Sequence, residues 1–257
     1  MTRSSKELKR ISRDILNNRY SVPMGAFLTA SIIPAVIEIP FSMSLGDYPS
    51  TSQLIIVGLA EFLIMLIGQV FTIGSQLVHL NMTRGRTYRI RDIFSPFKSG
   101  AERFFGSVFL FDLLMLIACI PAICGTVSFY FMDITAVSVS LLTAGCVISV
   151  ILSAAFTLMY QLSFVFLLDY PQMKVRDAFK ESRLLMKGRK KRLLYIFFSF
   201  LGWDALIVCS FGIASLWVTP YMTQTMITFY LDCTGELDRL PVRDYTKDPD
   251  PVFNSIF

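Results

Sequence analysis

The chemistry open to this chain rests on a few polar side chains that stand inside long apolar runs. Ionisable groups at membrane depth are costly and usually face a bundle interior or water, so each is a candidate for function. Between Ser52 and Leu80, the residues Gly58, Glu61, Gly68, Gln69, Thr72, Ser75, Gln76 and His79 fall within an arc of roughly 120° at 100° per residue. Between Ala136 and Leu168, a second row runs at i+4 steps: Gly145, Ser149, Ser153, Thr157 and Gln161. Two helices striped in this way can line a hydrated crevice. They can equally pack closely through small residues, with hydrogen bonds across the contact. Glu38, Asp112 and Asp204 add isolated acids in three other runs, and no Lys or Arg lies within any run. A protonated acid can donate to a carbonyl across the bundle. An acid of this kind can also carry protons or bind a cation during transport, and Glu61 and Asp204, the deepest, are the sharpest candidates.

Other chemistries find little support. His79 is the only histidine and, without further metal ligands nearby, reads as an interface residue. Cys119, Cys124, Cys146, Cys209 and Cys233 form no CxxC pair, and four of them lie within apolar runs, where cysteine serves as a small hydrophobe. No HExxH, G-x-S-x-G or phosphate-loop pattern occurs, so neither a metal nor a cofactor is expected. The run Lys187-Gly188-Arg189-Lys190-Lys191-Arg192 is basic and Gly-poor. Its Lys187, Arg189, Lys190, Lys191 and Arg192 read as contacts to anionic lipid headgroups.

The elements that must position these residues follow from where charge is missing. Of 257 residues 54% are hydrophobic and 17% charged, which leans away from soluble domains. The net charge of +5 does not point to nucleic acid, because the basic residues sit beside apolar runs. The 24 Lys and Arg residues fall into blocks around 3–19, 84–103, 174–192 and 239–247. Each intervening gap has room for two spans of about 20 residues. Turns are expected at Ser44–Ser50, around Met132-Asp133 and around Ser210-Phe211-Gly212. None of these turns carries a Lys or Arg, so every basic residue lies on one side, which the positive-inside rule makes cytoplasmic.

The expected fold is an all-α polytopic membrane protein. Its six spans are Ser21–Met43, Ser52–Leu80, Phe104–Phe131, Ala136–Leu168, Leu193–Cys209 and Ile213–Leu231. For the last pair, short and interrupted by Pro220, a re-entrant hairpin competes. The N-terminal basic region is too long for a signal peptide and its apolar stretch runs past any cleavage site, so the first span is read as uncleaved. Arg-Asp recurs at Arg13-Asp14, Arg91-Asp92 and Arg176-Asp177, each before a pair of spans, with a fourth copy at Arg243-Asp244. Apolar residues at helical spacing around the first three copies suggest basic amphipathic helices lying in the interface, the middle one cut short by Pro96. The organisation read from this is three hairpins, each preceded by such a helix. In domain terms, residues 1–20 are a cytoplasmic amphipathic helix and 21–232 one transmembrane domain with cytoplasmic loops 81–103 and 169–192. Residues 233–257 are a cytoplasmic polar tail.

Between Met173 and Glu236 the chain resembles the DUF975 family of bacterial integral membrane proteins. The resemblance is carried by Glu181-Ser182-Arg183-Leu184-Leu185-Met186-Lys187-Gly188, Leu201-Gly202-Trp203, Phe211-Gly212-Ile213, Leu216-Trp217, Pro220-Tyr221-Met222 and Phe229-Tyr230. Ser5-Lys6-Glu7-Leu8-Lys9 and the segment from Asp92-Ile93-Phe94 to Phe97-Lys98 also fit. The chain departs from the pattern at Ser153-Ala154-Ala155, where family members often carry a Pro-Gly-Ile break. The resemblance implies a multi-span protein of the bacterial plasma (inner) membrane with cytoplasmic termini, and supplies no activity.

Three functional classes stay open. A permease or channel-like transport component, with a polar crevice between the second and fourth spans, is supported by the stripes and the repeat. A non-catalytic scaffold or assembly factor is supported by the basic helices, and an intramembrane enzyme only by scattered acids and serines. The partners expected are the lipid bilayer and anionic headgroups, with a protein partner or a homo-oligomer left open, and no nucleic acid.

Overall fold

The computed structural model describes residues 3–44, 50–131 and 135–240. The expected turn residues 45–49 and 132–134, and the tail from 241 with its Arg243-Asp244, lie outside them. Among the described residues every regular element is helical. Five helical stretches are long and apolar enough to cross a bilayer: Ser21–Met43, Thr51–Arg84, Ala101–Phe131, Ala136–Asp169 and Lys190–Cys209. Their outer faces are studded with exposed Leu, Ile, Val and Phe, as in Ile55, Leu59, Leu116, Val150 and Leu206. Such surfaces belong in lipid.

The first helices in chain order are α1 (Ser5–Leu16), α2 (Ser21–Met43) and α3 (Thr51–Arg84). α3 begins in a capping box: Ser50 Oγ accepts from the Gln53 amide, and the Gln53 side chain accepts from the Ser50 amide. It ends at Gly85, whose φ of 65° is left-handed backbone that costs glycine little. At 34 residues it extends about 50 Å, well beyond a bilayer core of about 30 Å. Arg84 thereby stands on the same rigid helix as the polar stripe.

After a 3₁₀ turn over Ile90–Phe94 come α4 (Ser95–Lys98), α5 (Ala101–Phe131) and α6 (Ala136–Tyr160). α2 packs along α3, and α5 along α6. The second contact is close because small residues sit where backbones meet. A Cβ on Gly145 would run into the Pro121 carbonyl, and one on Gly125 into that of Leu141. Beside them Ser149 Oγ accepts a hydrogen bond from the Ala122 amide at 2.9 Å. The upper half of the fourth-span stripe is therefore spent on dry packing against the third span.

The remaining elements are α7 (Ser163–Asp169), α8 (Val175–Leu185), α9 (Lys190–Phe198), α10 (Leu201–Cys209) and α11 (Ser215–Cys233). α6 with α7 is a span broken about three quarters of the way along, at Gln161-Leu162, and α9 with α10 one broken at its middle, at Ser199-Phe200. No proline or glycine marks either break. Around them, neighbouring side chains take up backbone carbonyls. Ser182 of α8 donates to the Met159 carbonyl at 2.8 Å and Ser163 to that of Tyr160 at 2.6 Å. Lys9 of α1 donates to the Ser199 carbonyl at 3.1 Å. Irregular backbone at this depth is tolerable only where such partners exist.

The basic segments do more than float in an interface. The apolar stripe of α1, with Leu8, Ser12 and Ile15 buried and Lys6, Arg10 and Arg13 exposed, is covered by α11 and α9. Ser12 Oγ donates to Thr228 Oγ1 at 3.0 Å. The middle segment departs from the expected amphipathic helix. It is the 3₁₀ turn plus the single turn of α4, pressed on α3 so closely that a Cβ on Gly74 would meet the Ile93 carbonyl. The Arg-Asp copies also differ in placement. Asp14 lies near the end of α1, Asp92 accepts from the Arg89 amide ahead of the 3₁₀ turn, and Asp177 sits in the first turn of α8.

α11 has 19 residues but carries Thr219, Thr223, Gln224, Thr225 and Thr228, and does not join the five strongly apolar helices. Most of it from Val218 onward is buried, against α1, α2 and α3. The Ser210–Gly212 turn before it is well formed: Phe211 and Gly212 have φ of 51° and 87°, and the Gly212 amide donates to the Ile207 carbonyl.

Candidate functional site

Residues beside the two breaks, with α3 and α11, line a half-open cavity of about 360 Å³. Thr72 and Gln76 of α3, Gln161 at the first break and Asp204 in the first turn of α10 all line it. α11 contributes Thr219 and Thr223 one turn apart, and Phe197, Met222 and Met226 supply apolar wall. A second cavity of about 300 Å³ is lined by Thr157 and shares Asp204, Phe197 and Met222 with the first. Asp204 therefore stands between two spaces.

The polar atoms here are short of partners. Gln76 Oε1 and Gln161 Oε1 are buried, and no hydrogen bond reaches either among the described residues. The Asp204 carboxyl likewise has no hydrogen bond or ion pair among them. Asp112 shows the contrast: Gln69 Nε2 donates to both of its oxygens at 2.9 and 3.1 Å. A polar group buried without a partner costs about 1–3 kcal/mol, so the two buried amide oxygens, with the half-buried Asp204 carboxyl beside them, leave the cavity ready to accept from a donor.

Toward the basic end the same helices close. Ile227 and Val165 form apolar floor, and about one turn (~5 Å) further on lie Tyr230 and Asp169. Phe166 meets the Tyr230 ring edge-on at 5.2 Å. Beyond them Arg84 grips two carboxylates. Its Nη1 and Nη2 donate to Asp169 at 2.5 and 2.8 Å, and its Nε and Nη2 to Glu236 at 2.6 and 2.7 Å. The Tyr230 hydroxyl donates to Asp169 at 2.9 Å. Forked pairing of this kind is what the planar guanidinium does best.

The expected residues thus divide. Thr72, Gln76, Gln161 and Asp204 meet in one cavity, and Thr157 joins Asp204 in the next. Gln69 is taken by Asp112 and Ser149 by the α5–α6 contact, while Ser153 is half-buried beside it. His79 is 1% exposed and shares a hydrogen bond of 2.9 Å with Gln224, whose Nε2 donates to Thr83. Glu61 is exposed on α3 and lines neither of these two cavities. The crevice itself differs from the one expected. α3 meets the lower part of the broken fourth span, α7, and the cavity is completed by the fifth span and α11.

The basic run divides as well. Lys187 and Lys191 are exposed and Lys190 half-buried. Arg189 donates to the Leu185 carbonyl, and Arg192 pairs with Asp232 at 2.6 Å. Arg3 reaches the same Asp232 at 3.3 Å. A larger cavity of about 590 Å³ lies at the basic surface between Ser99–Arg103 and Pro171–Val175, but holds none of the in-span polar residues. Its Arg103 is spent on the Met173 carbonyl.

Reading the sequence missed Thr219, Thr223, Arg84, Asp169, Glu236 and Tyr230. The i+4 step from Thr219 to Thr223 was a usable signal. The Arg84 clamp had none, because its members are 67 to 152 residues apart.

Five lipid-ready helices around a polar interior define an all-helical integral membrane protein. The chain belongs to DUF975, a family described as protein of unknown function, whose model matches residues 1–236. Neither the curated proteins nor the solved structures gave a match.

Proposed function

We propose that this protein is a permease- or channel-like transport component of the bacterial plasma membrane, with its basic end in the cytoplasm. The observation that carries this reading is the cavity between the two broken spans, with Asp204, Gln76 and Gln161 left unpartnered. A bundle that only needed to pack would have satisfied or replaced them. α11 is read as a sixth span, since a helix wrapped by other spans can carry a polar face that lipid would not accept. Discontinuous helices flanking a midplane site are a recurrent design in transporters. In this reading Phe166, Tyr230 and the Arg84 clamp seal the cavity from the cytoplasm.

The test is flux through the full chain in liposomes, using a panel of small labelled cations, anions and neutral solutes. One class should pass above empty vesicles. Replacing Gln76 and Gln161 together by Leu should cut that flux at least tenfold, while Glu61→Gln, outside that cavity, leaves it unchanged. No flux of any class, or flux indifferent to the double substitution, would overturn the reading.

A further inference from the structure

The cavity also has a ligand chemistry written into it. Among the described residues the Asp204 carboxyl and the buried amide oxygens of Gln76 and Gln161 accept no hydrogen bond, and the amide N–H groups of the same glutamines and the Thr219 and Thr223 hydroxyls stand beside them without a partner. No Lys or Arg lines it, so a positive charge must come from outside the chain. A divalent ion is a poor match, because such ions draw on several carboxylates. A primary ammonium group carries three N–H donors and no acceptor, so it can serve the carboxyl and both amide oxygens at once. The rest of the wall suits an attached alkyl group. Phe197 brings an aromatic side chain to the wall, and Met222 and Met226 offer adaptable apolar surface. The volume of about 360 Å³ admits a small amine.

We infer that the cavity between the broken spans binds a small primary alkylammonium ion, with its N–H groups on Asp204, Gln76 and Gln161 and its alkyl group against Phe197, Met222 and Met226. This deepens the transport reading by naming the cargo class and rests on it for the route, but the binding site stands or falls separately.

The probe is n-propylammonium, titrated against the purified full chain in detergent while thermal unfolding is followed. A ligand that binds only the folded protein raises its melting temperature with concentration. The expected result is a saturable rise with n-propylammonium, none with the neutral isostere 1-propanol and a smaller one with potassium chloride at equal ionic strength. Asp204→Asn should weaken the apparent affinity at least tenfold. If that variant does not fold, Gln161→Met serves instead and should weaken it at least threefold. An absent rise, an equal rise with potassium, or a response indifferent to both substitutions would overturn the assignment. Ammonium binding without flux in liposomes would leave the site standing and sink the transport reading. Flux of another solute that n-propylammonium neither stabilises against nor competes with would do the reverse.

Discussion

At the scale of single residues, Arg84 ties two carboxylates from distant parts of the chain. It has 8% side-chain exposure, Asp169 has 12% and Glu236 31%. Breaking a buried pair from one side strands a charge and costs about 3–5 kcal/mol, far more than a surface pair would. Arg84→Ala should therefore lower the melting temperature in detergent most, Asp169→Asn less, and Glu236→Gln least because water reaches it. Arg84→Lys should recover only part of the loss, since an ammonium cannot fork to two carboxylates. Equal effects across the series would mean the clamp is not closed in solution. A different lesson comes from Glu61. The helical arc that grouped it with Gln76 was read from one helix alone, and an arc says nothing of which neighbours a helix meets. The structure leaves the lower part of the stripe in the interior and Glu61 outside.

Among the elements, glycine contacts decide how closely the spans approach. Gly145 lies against the Pro121 carbonyl and Gly58 against nothing within 4 Å. Gly145→Ala should destabilise the protein by about 1–3 kcal/mol through forced separation of α5 and α6. Gly58→Ala, by contrast, should be neutral or stabilise by up to about 1 kcal/mol through helix propensity. Comparing their melting temperatures in one detergent checks both. The breaks at Gln161 and Ser199 belong to the same scale. Neither carries a residue that breaks helices, so periodicity reads straight through them. What marks them is tertiary: Ser182 and Lys9 arrive from amphipathic helices to take nearby carbonyls. Burial, and second the charge of Arg13, lower the Lys9 pKa, as expected for an ammonium drawn under a bundle.

For the whole molecule, the bilayer-spanning character was legible because charge is excluded residue by residue, and that rule needs no knowledge of packing. Five of the six expected spans recur as long apolar helices; α11 does not, since its Thr-rich face is paid for by neighbours that sequence does not name. The cavity was half legible. Gln76, Gln161 and Asp204 were flagged, while their meeting depends on two breaks and on α11. The same scale governs lipid dependence. Lys187, Lys190 and Lys191 have no acidic partner among the described residues, whereas Arg192 is held by Asp232. Neutralising the three lysines should weaken binding to anionic over zwitterionic lipid by about 1 kcal/mol each, seen by native mass spectrometry or nanodisc titration. Arg192→Gln should lower stability instead.

The seat of α1 on α11 sets an order of events in time. Ser12 finds Thr228 across 216 residues of chain, and Arg3 finds Asp232 across 229. At 5–20 residues per second, roughly 10–45 s of synthesis separate the two partners. Until α9 and then α11 are made, α1 lacks the helices that cover its apolar stripe in the finished bundle. Its amphipathic character, which looks redundant in the finished bundle, is what a nascent chain requires while it waits. α11, made long after α1, is then the helix that locks it in place.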